Sequence, residues 1–186
     1  MPYTPYHLGP SGFICLTFRK WLDVPVFVLA NVIVDLEVLI ITQIGLTYPI
    51  HRFLHTLLIG SAAGIIWAMA AWPFRNIFKR LMQILRIPYQ TSFWKMLVSG
   101  VLGVWLHVVI DAIYHPDVYL FWPNRRIRPL YALITKQQVE VICLVFLLAA
   151  IIPYVIAVLS YSTPKKLKKA ATIMERIKNS GERIKK

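Results

Sequence analysis

Four stretches of this 186-residue chain, residues 24–46, 53–72, 96–114 and 139–161, are continuously apolar over about the 20 residues that a helix needs to cross a bilayer. Lipid offers no partner to a backbone N–H or C=O, so each stretch is expected to be helical. A fifth stretch, residues 6–22, is weaker: Gly9-Pro10 interrupts it and Arg19-Lys20 lies near its end. It lacks the basic start of a secretory signal and reads as part of the mature protein. The composition excludes an ordinary soluble domain. Hydrophobic residues make up 58% and charged residues 16%, against about 25% charged in soluble domains, and the mean hydropathy is +0.59. The expected fold is all-α, an integral membrane helical bundle with four strong and one weak membrane-inserted helices. Residues 1–163 form one membrane-embedded domain, and residues 164–186 form a basic tail. No internal repeat is visible.

The third stretch carries side chains that lipid tolerates poorly. His107, Asp111 and His115 recur every four residues. A four-residue step turns a helix by about 400° and advances it ~6 Å, so the three are expected along one face. Each ionisable group at such depth costs on the order of 3 kcal/mol or more, and such groups mark functional sites. His51 and His55 repeat the spacing at the start of another apolar run. Asp35 lies midway along residues 24–46, near the depth of His107. Asp35 and Glu37 point to different sides of a regular helix, so both can serve one ion only where the backbone breaks.

Charge sets the expected topology. The net charge is +13, with Arg75, Lys79, Arg80 and Arg86 between the second and third spans and a run of lysines and arginines from Lys165 to Lys186. The positive-inside rule places these segments, with Arg19 and Lys20, in the cytoplasm. Arg52, Arg125, Arg126, Arg128 and Lys136 remain outside as the exception. His51 and His115 then stand at outer ends of their spans, with His55, Asp111 and His107 deeper. His7 joins them only if residues 6–22 are inserted. All five histidines would then open onto one non-cytoplasmic cavity, which is the reason to expect five inserted segments. Gly60 with Gly64 and Ser99 with Gly103 are small-xxx-small pairs that let backbones approach, and are expected to bring the two histidine-bearing helices together. Cys15 and Cys143 are isolated in apolar segments and are expected to be buried free thiols.

Taken in order, these residues resemble the YdjM-like family of membrane-bound metal-dependent hydrolases. The resemblance runs along most of the chain: Thr4-Pro5-Tyr6-His7 leading into His7-Leu8-Gly9, Asp35-Leu36-Glu37, His51-Arg52-Phe53-Leu54-His55-Thr56, His107 to Asp111, and Phe121-Trp122-Pro123. Val34 stands where relatives often carry a proline before the aspartate. The order His107, Asp111, His115 is also similar to the all-helical zinc-dependent phospholipase C and single-strand nuclease group, an analogy at fold level. The resemblance implies a metal-dependent hydrolase with His7, Asp35, His51, His55, His107, Asp111 and His115 as metal ligands. Glu37 and Arg52 are the candidate catalytic residues, Arg52 as a phosphate contact or a lipid-headgroup anchor.

Histidine and carboxylate ligands suit Zn²⁺, with Mn²⁺ or Fe²⁺ as alternatives. More candidate ligands than the four of one structural zinc favour a two-metal site, suited to in-line displacement at a phosphoester or lipid-derived substrate. The competing reading is a metal-binding or transporting membrane protein without hydrolase activity, since transporters also place His and Asp near the midplane. A third is a structural protein whose site staples helices. In the tail, Leu167, Ala170, Met174, Ile177, Gly181 and Ile184 form one apolar stripe opposite lysines and arginines. That pattern predicts a cytoplasmic helix lying on anionic lipid, in preference to nucleic acid.

Overall fold

The computed structural model describes residues 4–46, 49–51 and 53–162, and every regular element among them is helical. A 3₁₀ turn over Thr4–His7 leads into α1 (Leu8–Thr17). Helices α2 (Val24–Ile33) and α3 (Asp35–Gln43) form one interrupted rod. Next come α4 (Leu57–Ala71), α5 (Arg75–Ile84), α6 (Phe93–Tyr114) and α7 (Lys136–Ala149), which continues helically over residues 151–162. Four rods are long and apolar enough to cross a membrane: Val24–Gln43, Leu57–Ile84, Phe93–Tyr114 and Lys136–Ser162. The weak fifth segment is shorter than expected. α1 has 10 residues, or ~15 Å, about half of a hydrocarbon core. The tail, residues 164–186, and Arg52 lie outside the described residues, and so do the expectations placed on them.

The starts of α2, α4, α6 and α7 are capped by short polar side chains, which matters most where no water can serve the first N–H groups. Asp23 accepts from the Val26 N–H, Thr56 from Ile59 and Ser92 from Lys95, each at 3.2 Å. Thr135 and Gln138 form a reciprocal capping box on α7. The fully buried Asp23 does more than cap. Its carboxylate also accepts from the Tyr89 and Thr91 hydroxyls, and its own N–H donates to Ser99 Oγ at 2.7 Å. Burial, and then the neighbouring Asp23 carboxylate, hold the Tyr89 hydroxyl above the usual phenol range. One end of the bundle is thereby pinned by polar contacts.

Glycines set the distances between helices. A Cβ on Gly64 would lie 2.6 Å from the Gly100 carbonyl oxygen, so α4 and α6 touch backbone to backbone there. Gly60 lies against Val104 of α6 in the same seam. The second small-residue pair corrects the expectation: Gly103 and Ser99 serve α2, where Gly103 packs on Phe27 and Ala30. The residue facing α4 is Gly100, one position away, because a helix turns 100° per residue and presents its neighbours to different partners. Around and below the histidines these helices close over an apolar core of Ala30, Val34, Val104, Val108 and Ala112, with the buried Asn31 amide donating to the Gly103 carbonyl at 3.2 Å beside it. Cys15 and Cys143 are buried free thiols.

Candidate metal centre

The interruption between α2 and α3 falls at Val34 without a proline. The Glu37 N–H reaches back to the Val34 carbonyl at 3.2 Å, restarting the helix with Asp35 in its first turn. Asp35 turns inward, and its Oδ1 stands 3.2 Å from His107 Nε2. The Asp111 carboxylate is the hub of the cluster. Its Oδ2 lies 3.1 Å from His107 Nε2, 3.6 Å from His55 Nε2 and 3.9 Å from His51 Nε2, while its Oδ1 lies 3.1 Å from His7 Nε2. The His7 and His107 rings stack with centroids 4.2 Å apart, bringing the short first helix into the site.

These nitrogens are close to oxygens without being bonded to them. His7 Nε2, His55 Nε2 and His107 Nε2 are buried and make no hydrogen bond, although buried polar atoms are ordinarily partnered. Their separations from the carboxylates match a different geometry. Two donors bound at 2.0–2.1 Å to one tetrahedral ion stand about 3.3 Å from each other. Asp35, His55, His107 and Asp111 offer four such ligand atoms, all within 4.8 Å of one another. The donor set of imidazole and carboxylate therefore fits a divalent ion of the Zn²⁺, Mn²⁺ or Fe²⁺ type.

Around this group sits a layer of carboxylates that aim the imidazoles. Glu37 accepts from the Phe53 N–H at 2.7 Å and from the Leu54 N–H, and holds His55 Nδ1 at 2.9 Å. Asp117 accepts from the Ile50 and His51 N–H groups at 3.0 and 3.1 Å and holds His51 Nδ1 at 3.0 Å. In both histidines the outer nitrogen is occupied, which leaves Nε2 facing the hub. Carboxylate–histidine pairs of this kind fix the tautomer and orientation of a ligand. Glu37, read from the sequence as a catalytic candidate, makes the contacts of an orienting group. Asp35 and Glu37 thus do point different ways, and both serve the site from successive layers.

His115 departs from the expected stripe. α6 ends at Tyr114, and His115 has an extended backbone because Pro116 follows it. Its ring swings over His51, with centroids 4.0 Å apart, rather than continuing the His107–Asp111 face. Burial and the adjacent His51 ring push His115 down to about 4. It is neutral at neutral pH, as a ligand must be. His51, His115 and Asp117 form a second group of ligand atoms within 4.8 Å, but Asp117 would have to release His51 to take an ion there. Burial favours the protonated Asp117 carboxyl, yet the His51 ring and backbone N–H bonds outweigh it and hold the group at about 2. Burial likewise lowers His55, against the opposing pull of Glu37.

Two contributors escaped the sequence reading. Asp117 lies just past the apolar stretch, where a carboxylate carries no membrane penalty to mark it. Tyr114, whose hydroxyl donates to Asp111 Oδ1 at 2.7 Å, looks like an ordinary interfacial tyrosine, although its position one turn after Asp111 was a usable signal. Substituting Asp117→Asn or Glu37→Gln is expected to weaken metal affinity about 10- to 100-fold, the usual effect of losing an orienting partner. Competition titration with a chromogenic chelator measures it, and unchanged affinity in both variants would remove the orienting role. No known protein-family model, curated protein or solved structure matches this chain.

Proposed function

We propose that this chain is a membrane-embedded metal-dependent hydrolase of the YdjM-like kind, acting on a phosphoester or lipid-derived substrate. One observation carries the reading: the buried imidazoles of His7 in the turn before α1, His55 just before α4 and His107 in α6 converge on Asp111 with Nε2 atoms that have no hydrogen-bond partner. Asp35, His55, His107 and Asp111 would hold the ion, with His7 and His51 beside them. A divalent ion bound there supplies Lewis acidity to a phosphoryl oxygen and lowers the pKa of water. The chain's own groups orient and exclude. Glu37 and Asp117 aim His55 and His51, Tyr114 restrains Asp111, and the valine and alanine core beneath keeps water from crossing. In the overall reaction, water oxygen adds to phosphorus, the ester P–O bond breaks, and the departing alcohol takes a proton.

The transport reading has less support. Below the cluster, α2, α4 and α6 meet through glycines and pack closely about Ala30 and Val104, and the buried amide beside them, Asn31, is tied to the Gly103 carbonyl at 3.2 Å. An ion leaving by the opposite end would have to cross this packing at high cost. A helix-stapling role would need only a closed set of four ligands, fewer than the side chains gathered here.

The proposed orientation keeps the metal centre on the non-cytoplasmic side of a cell or inner membrane, with Arg19, Lys20, Arg75, Lys79, Arg80 and Arg86 in the cytoplasm. The basic outer loop has local reasons to exist. Arg125 and Arg128 stack on Tyr119 at 5.8 and 5.7 Å, Arg128 also covers Tyr131 at 5.1 Å, and it donates to the Pro116 carbonyl at 2.8 Å. Reporter fusions at Arg80 should report cytoplasm and fusions at Asn124 the opposite side; the reverse result would turn the site to the cytosol. The proposed reaction is tested by purifying the protein in detergent, measuring bound metal, and assaying release of alcohol from phosphoesters before and after chelation. Hydrolysis that survives complete metal removal would end this reading.

A further inference from the structure

An apolar groove of about 630 Å³ runs along the membrane-facing side of α3 and α4, walled by Leu36, Ile40, Ala63, Ile66 and Trp67 and closed at one end by Phe53 and Leu54. Among its lining residues Glu37 is the single ionisable one. The Glu37 carboxylate is the group that holds His55 Nδ1 and the Phe53 and Leu54 N–H groups. The end of the groove and the wall of the metal centre are therefore the same few residues.

The side chains of the centre differ in exposure. The side chains of His55, His107 and Asp111 are 0%, 0% and 3% exposed, whereas Asp35 is 26% exposed. Asp35 belongs to α3 but does not line the groove, whereas its neighbours Leu36 and Glu37 do. The groove lies between two rods long and apolar enough to cross a membrane, Val24–Gln43 and Leu57–Ile84. The bundle has a second apolar groove of about 560 Å³, beside Ile14, Phe27, Leu102 and Leu106. That one contains no ionisable residue and touches no residue of the metal centre, so it has only the features of a lipid-facing surface. The first differs in having a polar end, and the size of each falls within the usual range for a ligand site.

We infer that the α3–α4 groove receives one hydrocarbon chain of a phosphate-bearing membrane lipid that enters sideways from the bilayer, so that its phosphate is presented to the metal centre at the wall formed by Glu37, Phe53 and Leu54. The inference rests on the hydrolase reading for the fate of the phosphate, while the seating of the chain stands on the groove itself. An amphiphile suits this geometry because its apolar part needs no water-filled approach, and its anionic part is drawn to a cation at the hub. Phe53, packed edge-on against Trp122 of the outer loop at 6.1 Å, bounds the level at which chain gives way to head.

The test uses the full chain in nanodiscs of phosphatidylcholine doped with phosphatidate whose acyl chains carry bromine, a quencher of tryptophan fluorescence. The contribution of Trp67 is taken as the difference between chains with and without Trp67→Phe. Phosphatidate should quench Trp67 beyond its share of the bilayer and saturate at low mole fraction. Ala63→Phe, which fills the groove, should return quenching to simple proportion, while Leu102→Phe, which fills the second groove, should leave it unchanged. Quenching proportional to mole fraction in the wild type, or equal in Ala63→Phe, overturns the inference. Hydrolysis is followed in parallel on phosphatidate and on a short water-soluble phosphoester. Ala63→Phe should lose roughly tenfold or more on the long-chain substrate, as expected when a subsite for several methylenes is lost, with little change on the short one. Cleavage of the short ester alone by the wild type overturns the inference and leaves the hydrolase reading intact. Saturable Trp67 quenching with cleavage of neither supports the groove and removes the hydrolase reading.

Discussion

Asp111→Ala protein, purified in detergent beside the wild type, is expected to hold metal at least roughly tenfold more weakly, since a ligand itself is lost rather than an orienting partner. Among the described residues, Asp111 is the one carboxylate whose oxygens approach His7, His51, His55 and His107 within 4 Å. It is also the acceptor for the Tyr114 hydroxyl. Truncation therefore leaves the Tyr114 hydroxyl without its acceptor and a void among the imidazoles, and either effect lowers stability. Loss of fold could by itself lower metal content, so Asp111→Asn is the informative companion. It keeps the shape and the acceptor for Tyr114 while losing the charge. Wild type should be stabilised by added Zn²⁺, by about 2.7 kcal/mol at 100 times the dissociation constant, and should lose that gain on chelation. Asp111→Asn should melt at a temperature indifferent to both. Equal metal content in wild type and both variants would mean that the cluster is a set of buried ion pairs and nothing more.

Gly64→Leu is expected to separate the helices that carry the ligands. The first atom added at Gly64 meets the Gly100 carbonyl oxygen at 2.6 Å, its carbon at 2.8 Å and Val101 Cα at 2.9 Å. All three are backbone atoms of α6 and cannot rotate away. Overpacking a core usually costs 1–3 kcal/mol, and obstruction by backbone puts this site at or above the top of that range. The consequence reaches the metal centre because α4 follows His55 and α6 bears His107 and Asp111. Lower detergent stability and lower metal content should appear together. Gly12→Ala is the matched control. Its added methyl meets only Ala150 Cβ at 3.9 Å, an ordinary contact, and alanine is favoured over glycine in a helix by about 1 kcal/mol. A Gly64→Leu protein with normal stability and full metal occupancy would show that the close approach of α4 and α6 is not needed.

Much of the candidate site was legible because lipid makes it so. His107 and Asp111 stand out within an apolar helix since an ionisable group there is expensive, and their four-residue spacing lands both on one face. Legibility stopped where regular geometry stopped. His115 shares the spacing, yet Pro116 draws its backbone out of the helix, and its ring goes to His51 instead. Ser99 and Gly103 share the spacing of a helix-pairing motif, but the motif does not name the partner, and α2 rather than α4 took that face. Asp117 lies where carboxylates are commonplace, so nothing local distinguishes it from a solvated loop residue.

Hydropathy and spacing already specify the helices of the described residues, the four of them long and apolar enough to cross a membrane, and the ionisable side chains set within apolar stretches. Those properties follow from hydropathy and helical period, which are local and additive along the chain. How those side chains divide into layers is settled by packing between distant parts of the chain. Whether Asp35 and Glu37 cooperate depends on the break at Val34, and which nitrogen of His55 or His51 faces the hub depends on a carboxylate contributed from another part of the chain. Such choices are made by contacts between residues 16 to 72 positions apart. Packing, carried here by glycines at the α4–α6 and α2–α6 seams, is what brings them within hydrogen-bonding and ligand distance.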